Sequence, residues 1–141
     1  MANVIPYAFR GELFTGTHNF ASGGDSFKLA LYTSNPYNTS STVYVTANEV
    51  SSSGTNYTAA GNALTGNAVV AATAVASCDF ADSTWTSATI TATHAALYND
   101  DQGDKLCVVL DFGGTFTCTN GTFKVSFPNP ATASNAIISM A

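Results

Sequence analysis

The sequence predicts an all-β chain: a single antiparallel β-sandwich, jelly-roll-like, entered through a short N-terminal helix or arm. Three observations predict it. Apolar and polar residues alternate with period two in segment after segment beyond Ser26. Asn, Gly, Ser and Pro clusters separate those segments at short intervals. The polar residues are mainly hydroxyls and amides, with 20 Thr, 14 Ser and 12 Asn against only 9% charged residues, a mix that suits strand faces and turns. No helical pattern alternates with the strands, which argues against a parallel α/β sheet. At 141 residues the chain fits one core, because two domains would each be too small to bury enough surface.

Residues 1–21 form the expected arm or short helix and 22–141 the sandwich. Pro6 suits a first helical turn, Phe9 and Leu13 fall four apart on one face, and Gly16 is a natural stop. Ser26 to Tyr32 alternates as a strand, with Phe27, Leu29 and Leu31 on one face. A loop over 33–42 leads to a short strand at Val43–Val45. Between Ser51 and Gly66 turn signals outnumber large apolar groups, so short irregular strands are expected there. Residues 68–76 read as strand in preference to an alanine-rich helix, since β-branched residues recur without caps or a polar face.

Ser87 to Leu97 is the clearest long strand, with Ala88, Ile90, Ala92 and His94 opposite Thr89, Thr91, Thr93 and Ala95. Asn99 to Asp104 is a turn, and Lys105 to Asp111 a strand whose apolar run suggests burial on both faces. Gly113-Gly114 marks another turn. Asn120-Gly121 then predicts a tight hairpin between strands at Thr115–Thr119 and Thr122–Phe127, because a two-residue turn needs positive φ. Pro128-Asn129-Pro130 is a loop, and residues 136–140 a last short strand. About eight strands result.

Charge removes whole classes of function. A net charge of −5 and a pI near 4.5, with Arg10, Lys28, Lys105 and Lys124 far apart, leave nothing to neutralise phosphates, so no nucleic acid is expected. No apolar run reaches the ~20 residues of a spanning helix, so no membrane role is expected. The N-terminal residues lack the basic and apolar regions of a secretion signal. Three cysteines, Cys78, Cys107 and Cys118, then read as reduced, buried small hydrophobes, with a Cys107–Cys118 bridge across a hairpin as the alternative.

Catalytic and metal chemistry find little to stand on. His18 and His94 are the two histidines, there is no Gly-x-Ser-x-Gly, and no Cys-x-x-Cys or His-x-x-x-His spacing suggests zinc. Asp100, Asp101 and Asp104 cluster with Asn99 in a loop that could ligate calcium, but a solvated acidic turn explains them as well. Asp79, Asp82 and Asp111 are the carboxylates that could pair for glycoside cleavage, capping being the commoner role. Asn38, Asn56 and Asn120 begin Asn-x-Ser/Thr triplets, which a chain rich in Asn and Thr produces by chance. No enzyme activity and no cofactor are expected. A polar yet nearly uncharged surface instead suits permanent protein contacts, because burying hydroxyls costs far less than burying charges.

Several stretches combine into a resemblance: Met1-Ala2-Asn3-Val4 with Gly11-Glu12-Leu13, His18-Asn19-Phe20, Ala30-Leu31-Tyr32-Thr33-Ser34, Asn48-Glu49-Val50, Tyr57-Thr58-Ala59-Ala60-Gly61-Asn62, Asp79-Phe80-Ala81-Asp82, Ala88-Thr89-Ile90-Thr91-Ala92, Leu110-Asp111-Phe112-Gly113 and Ala133-Ser134-Asn135-Ala136-Ile137-Ile138. The whole chain resembles small virion structural proteins of tailed bacteriophages, cyanobacterial phages among them, and most nearly capsid cement (decoration) proteins. That resemblance implies a non-enzymatic subunit made in the host cytoplasm, assembled as a homotrimer, and bound to the major capsid protein on the outer surface of the head. Tyr7, Phe9, Leu13 and Phe14 are then the expected capsid or subunit contacts, though the same residues could equally plug the end of the sandwich. The alternative is a tail or fibre component that binds host glycan, with Tyr37 and Tyr98 on exposed loops as the side chains that stack on a sugar.

Overall fold

The computed structural model describes residues 3–72, 74–128 and 136–140. Met1, Ala2, Thr73, Ala141 and the stretch 129–135, which holds most of the expected Pro-Asn-Pro loop and the Ala133–Asn135 part of the resemblance, lie outside the described residues. The fold is an antiparallel sandwich of two sheets with one short helix. Helix α1 spans Tyr7–Phe14. The strands are β1 (Phe27–Tyr32), β2 (Asn62–Ala63), β3 (Ala68–Ala72), β4 (Val75–Asp79), β5 (Ser83–Asn99), β6 (Lys105–Val125) and β7 (Ile138–Met140). One sheet runs β2-β1-β5-β6 and the other β3-β4-β7.

Helix α1 begins directly after Pro6, its N-cap, whose φ of −63° and ψ of 153° are extended and whose missing N–H leaves one fewer donor to satisfy. It ends where Gly16 turns to φ +68°, letting Gly16 N–H reach Leu13 O (3.3 Å) and Thr17 N–H reach Glu12 O (3.0 Å). This paired closure satisfies two carbonyls the helix end leaves open. Phe9 is fully buried, and Phe20 stacks on Phe27 with ring centroids 4.4 Å apart. The helix is thereby pinned to the core between the sheets, which also holds Leu29, Leu31, Trp85, Ile90, Leu97 and Phe123.

A second, smaller core lies on the opposite face of the four-stranded sheet, where Ala30, Tyr32, Ala96, Tyr98, Leu106 and Val109 pack under Tyr37 and Tyr44. The connection from Thr33 to Gly61 forms its cover, fastened by one carboxylate. Glu49 accepts from the hydroxyls of Tyr44 (2.6 Å) and Tyr57 (2.8 Å) and from Ala60 N–H (2.8 Å). Tyr57 also accepts from Leu31 N–H at 3.0 Å, tying the cover to β1. At Gly61, with φ +84°, a Cβ would strike the backbone of Leu29, so the close approach of β2 to β1 requires glycine.

Six expectations change. Asn120-Gly121 does not close a hairpin: β6 is one strand of 21 residues, and the positive φ of Asn120 (48°) serves a bulge in which Ala88 faces Gly121 and Ile90 faces Cys118. Gly113, with φ +75°, sits in a second bulge rather than a turn, its N–H donating to Asp111 at 2.8 Å. Cys107 and Cys118 therefore lie on one strand, opposite Leu97–Tyr98 and Ile90 of β5, roughly 25 Å apart and far beyond the ~6 Å between the Cα atoms of a bridged pair. Residues 68–76 contain not one strand but β3 and the start of β4, paired antiparallel. Val43 makes only an isolated bridge to Lys105 where a strand was expected. On β5 the inward face slips between Ala92 and Ala95, both fully buried, so His94 departs from the alternation of Ala88, Ile90 and Ala92.

Candidate functional site

The four expected contact residues on α1 divide. Phe9 is buried and Leu13 packs partly against the core, so these two plug the sandwich. Phe14 stands 95% exposed and Tyr7 60% exposed, with the Arg10 guanidinium 4.8 Å from the Tyr7 ring centroid. Because Phe9 locks the helix and Gly16 closes it, both aromatics are mounted on a rigid element.

Tyr37 and Tyr98 correct the sequence reading, since neither is exposed: they are 6% and 1% accessible. Tyr98 belongs to β5 rather than to the loop after it, and donates its O–H to Ala60 O at 2.6 Å. Tyr37 shares a 2.6 Å hydrogen bond with Tyr32 and stacks edge-on against its ring. Burial raises both hydroxyls above the ordinary tyrosine range. Neither ring presents a face to a sugar.

His18 sits in a buried network at the helix exit. Asn99, fully buried, donates from its amide to His18 Nδ1 (3.0 Å) and to Asp25 (2.8 Å), while its carbonyl accepts from Asp101 N–H (3.2 Å). Both ends of the amide are thus fixed, and Nδ1 must be the acceptor. The imidazole proton lies on Nε2, which donates to Glu12 at 2.9 Å. Burial pushes the Glu12 carboxyl up, but hydrogen bonds from Lys105 and His18 and attraction to the Lys105 charge outweigh it and hold it below the usual carboxylate range. Cys107 lies 4.0 Å from His18 Nδ1, which gives the connectivity of a thiol, base and acid. That thiol is fully buried and burial pushes it far above its ordinary value, the reverse of the lowered value of a reactive cysteine. Cys78 is likewise pushed up, to about 12, by burial and then by Asp79.

His94 and Asp111 approach to 3.7 Å beneath an open groove of about 520 Å³ that Thr33, Asn35, Thr93 and Thr115 also line. The contact runs from His94 Nε2 to Asp111 Oδ1, and both residues line the groove beside its hydroxyls, with His94 Nε2 and Asp111 Oδ2 themselves sealed from solvent. The acidic turn is used to fasten strands: Asp100 pairs with Lys28 at 2.9 Å and Asp101 accepts from Ser26 N–H at 2.7 Å. Asp82 pairs with Lys124 at 2.7 Å, whose hydrogen bond draws its carboxyl below the ordinary range. Asp82 and Asp111 are thus drawn to different partners. Among the described residues no three ligating side chains gather to hold a metal ion, and no helix is long and apolar enough to cross a membrane.

Sequence reasoning missed one surface. The far part of β6 exposes Phe116 by 54%, edge-on to Phe112 at 6.2 Å, beside an apolar groove of about 510 Å³ lined from Phe112 to Ser126. Its signal was legible as a run from Phe112 to Phe123 with no charged residue, but the expected hairpin folded that run back on itself. Comparison of the chain with protein-family models, with curated proteins and with solved structures finds no match.

Proposed function

We propose that the chain is a non-enzymatic structural subunit of a phage virion, a capsid cement or decoration protein that binds the major capsid protein on the outer surface of the head as a homotrimer. One observation carries the reading furthest: Phe14 and Tyr7 project from a helix that Phe9 anchors in the core, on a molecule with only 9% charged residues. An aromatic side chain brings about 150–250 Å² of contact area, and aromatic anchors dominate binding energy at interfaces. A subunit bridging neighbours in a shell adds interface that must be lost before the lattice opens, so binding alone stabilises the head against the pressure of packaged DNA. The resemblance of the sequence to cement proteins supports the same role.

Co-sedimentation with purified heads of the phage that encodes the chain tests it. The intact chain is expected to pellet with the heads at many copies each, and the double variant Tyr7→Ala with Phe14→Ala to stay in the supernatant while keeping its fold and mass. Wild-type chain that stays in the supernatant overturns the reading, as does a double variant that decorates heads normally.

A further inference from the structure

The molecule caps the outer edge of β6 for part of its length and then stops. Leu106 N–H reaches Thr42 O (3.0 Å), Val109 exchanges two 2.9 Å hydrogen bonds with Val4, and Asp111 N–H reaches the Asn3 side chain (2.8 Å). Beyond Asp111, among the described residues, the side of β6 turned away from β5 has no strand or segment paired to it. An open strand edge is a template for further pairing, and proteins that must stay apart guard such edges with charge or proline. Here the stretch Phe112–Phe123 has neither, and Lys124 comes only after it. The bulges at Gly113 and Asn120 bracket a regular rung, where Phe116, Thr117 and Cys118 face Ala92, Thr91 and Ile90. Beside this edge lies the apolar groove with Phe116 half exposed, lined wholly by residues 112–126, so no strand of the smaller sheet covers it.

We infer that the free edge of β6 from Phe112 to Val125, with its adjoining groove, seats a second copy of this chain. The contact rests on the structural-subunit reading above and specifies where copies meet. Two quantities favour a copy as the occupant. The segment runs beside residues 83–93 of β5, so it is about 35 Å long and, with a sheet layer about 10 Å deep, covers about 350 Å² per copy; the exposed half of Phe116 adds about 100 Å², which brings two copies to about 900 Å², near the ~1,000 Å² total of a specific interface. Charge agrees: copies of net charge −5 repel one another, and an uncharged stretch is where they approach at least cost.

The test measures the mass of the full-length chain by light scattering and sedimentation equilibrium, with no heads present. Wild type is expected at a multiple of 14.5 kDa. Placing Lys on both exposed threonines of the edge, Thr117→Lys with Thr119→Lys, is expected to weaken association by roughly a hundredfold or more, because the contact would then bury unpaired charges. Phe116→Ser, which adds no charge, should weaken it less, and Phe14→Ser should leave the mass unchanged; circular dichroism checks the fold of each. Wild type that is monomeric at every concentration overturns the inference, as do edge variants that fold and keep the wild-type mass. A monomer whose lysine variant no longer decorates heads also overturns it, assigning the edge to the shell protein. An oligomer that ignores heads supports this contact while removing the capsid reading.

Discussion

Near the turn that joins them, β5 and β6 are buried on both faces. Ala95 and Leu97 face the core between the sheets, while Ala96 and Tyr98 face the smaller core under the Thr33–Gly61 cover. Toward the other end, Ser83 to Ala92 and Phe112 to Val125, the same two strands are buried on one face only: Trp85, Ala88, Ile90 and Ala92 point inward, and Thr84, Thr86, Thr89 and Thr91 lie in solvent. The near half has its edge capped by the N-terminal segment and is latched through Glu12, His18 and Lys105. The far half is an open ribbon with threonine on one side and an uncovered aromatic groove on the other. The difference teaches where stability and function separate: one end of the ribbon holds the molecule together, and the other supplies surface that costs little to bury.

The widest contrast is expected at the second core. Tyr98→Ala removes a fully enclosed ring that stacks on Tyr44 at 4.7 Å and the hydrogen bond to Ala60 that closes the cover. It should lower the unfolding free energy by about 3–5 kcal/mol, the usual loss for a buried aromatic, read from urea titration of tryptophan fluorescence. A loss below about 1 kcal/mol would make the cover an ornament on a fold held by the other face alone, and would erase the comparison.

Much of this division was legible in the sequence, for reasons visible in particular residues. The run Leu106 to Leu110 has no polar alternation, and the structure buries Leu106 to Val109 completely; the alternation at Ala88, Ile90 and Ala92 marks a one-sided strand, as found. Phe9 and Leu13 four apart predicted the helix and its buried face. What failed was the reading of positive-φ residues. Asn120 and Gly113 adopt the expected backbone sign, but local chemistry cannot say whether a left-handed residue reverses a chain or bulges a strand; the pairing of β5 with all of β6 decides it. Tyr37 and Tyr98 were misplaced for a related reason. A tyrosine beside Asn and Pro reads as a loop contact, and only the distant Glu49 and Tyr32, which build the covered core, show that it points inward.

A smaller effect should attend the latch. Glu12→Gln takes a charge-assisted partner from both Lys105 and His18, and about 1–3 kcal/mol of stability should go with it at pH 7. Acid should do the same without a mutation. The native carboxyl is held below its ordinary value near 4.5, so the unfolded chain binds this proton more readily. Its stabilisation is complete above that ordinary value and is lost as pH falls through the depressed native one. Unfolding titrations from pH 7 to pH 3 should therefore show wild type losing more stability than Glu12→Gln. Parallel curves for the two proteins would mean that the latch adds nothing to the near half.

The smallest effect is expected on the threonine face. Thr91 and Thr117 sit opposite each other with hydroxyls 3.1 Å apart, both exposed. Thr91→Val removes one hydroxyl but keeps the β-branched shape that suits a strand. Water already satisfies an exposed hydroxyl, so the pair contributes little, and unfolding stability should stay within about 0.5 kcal/mol of wild type. The same reasoning gives the result its force. If this face existed to stabilise the ribbon, losing one member of a cross-strand pair would register as lost stability, roughly 0.2–1 kcal/mol for each such contact. Stability that survives Thr91→Val and its partner substitution Thr117→Val together places the stabilising work of β5 and β6 in the near half, and leaves the far half free to meet a partner without cost to the fold.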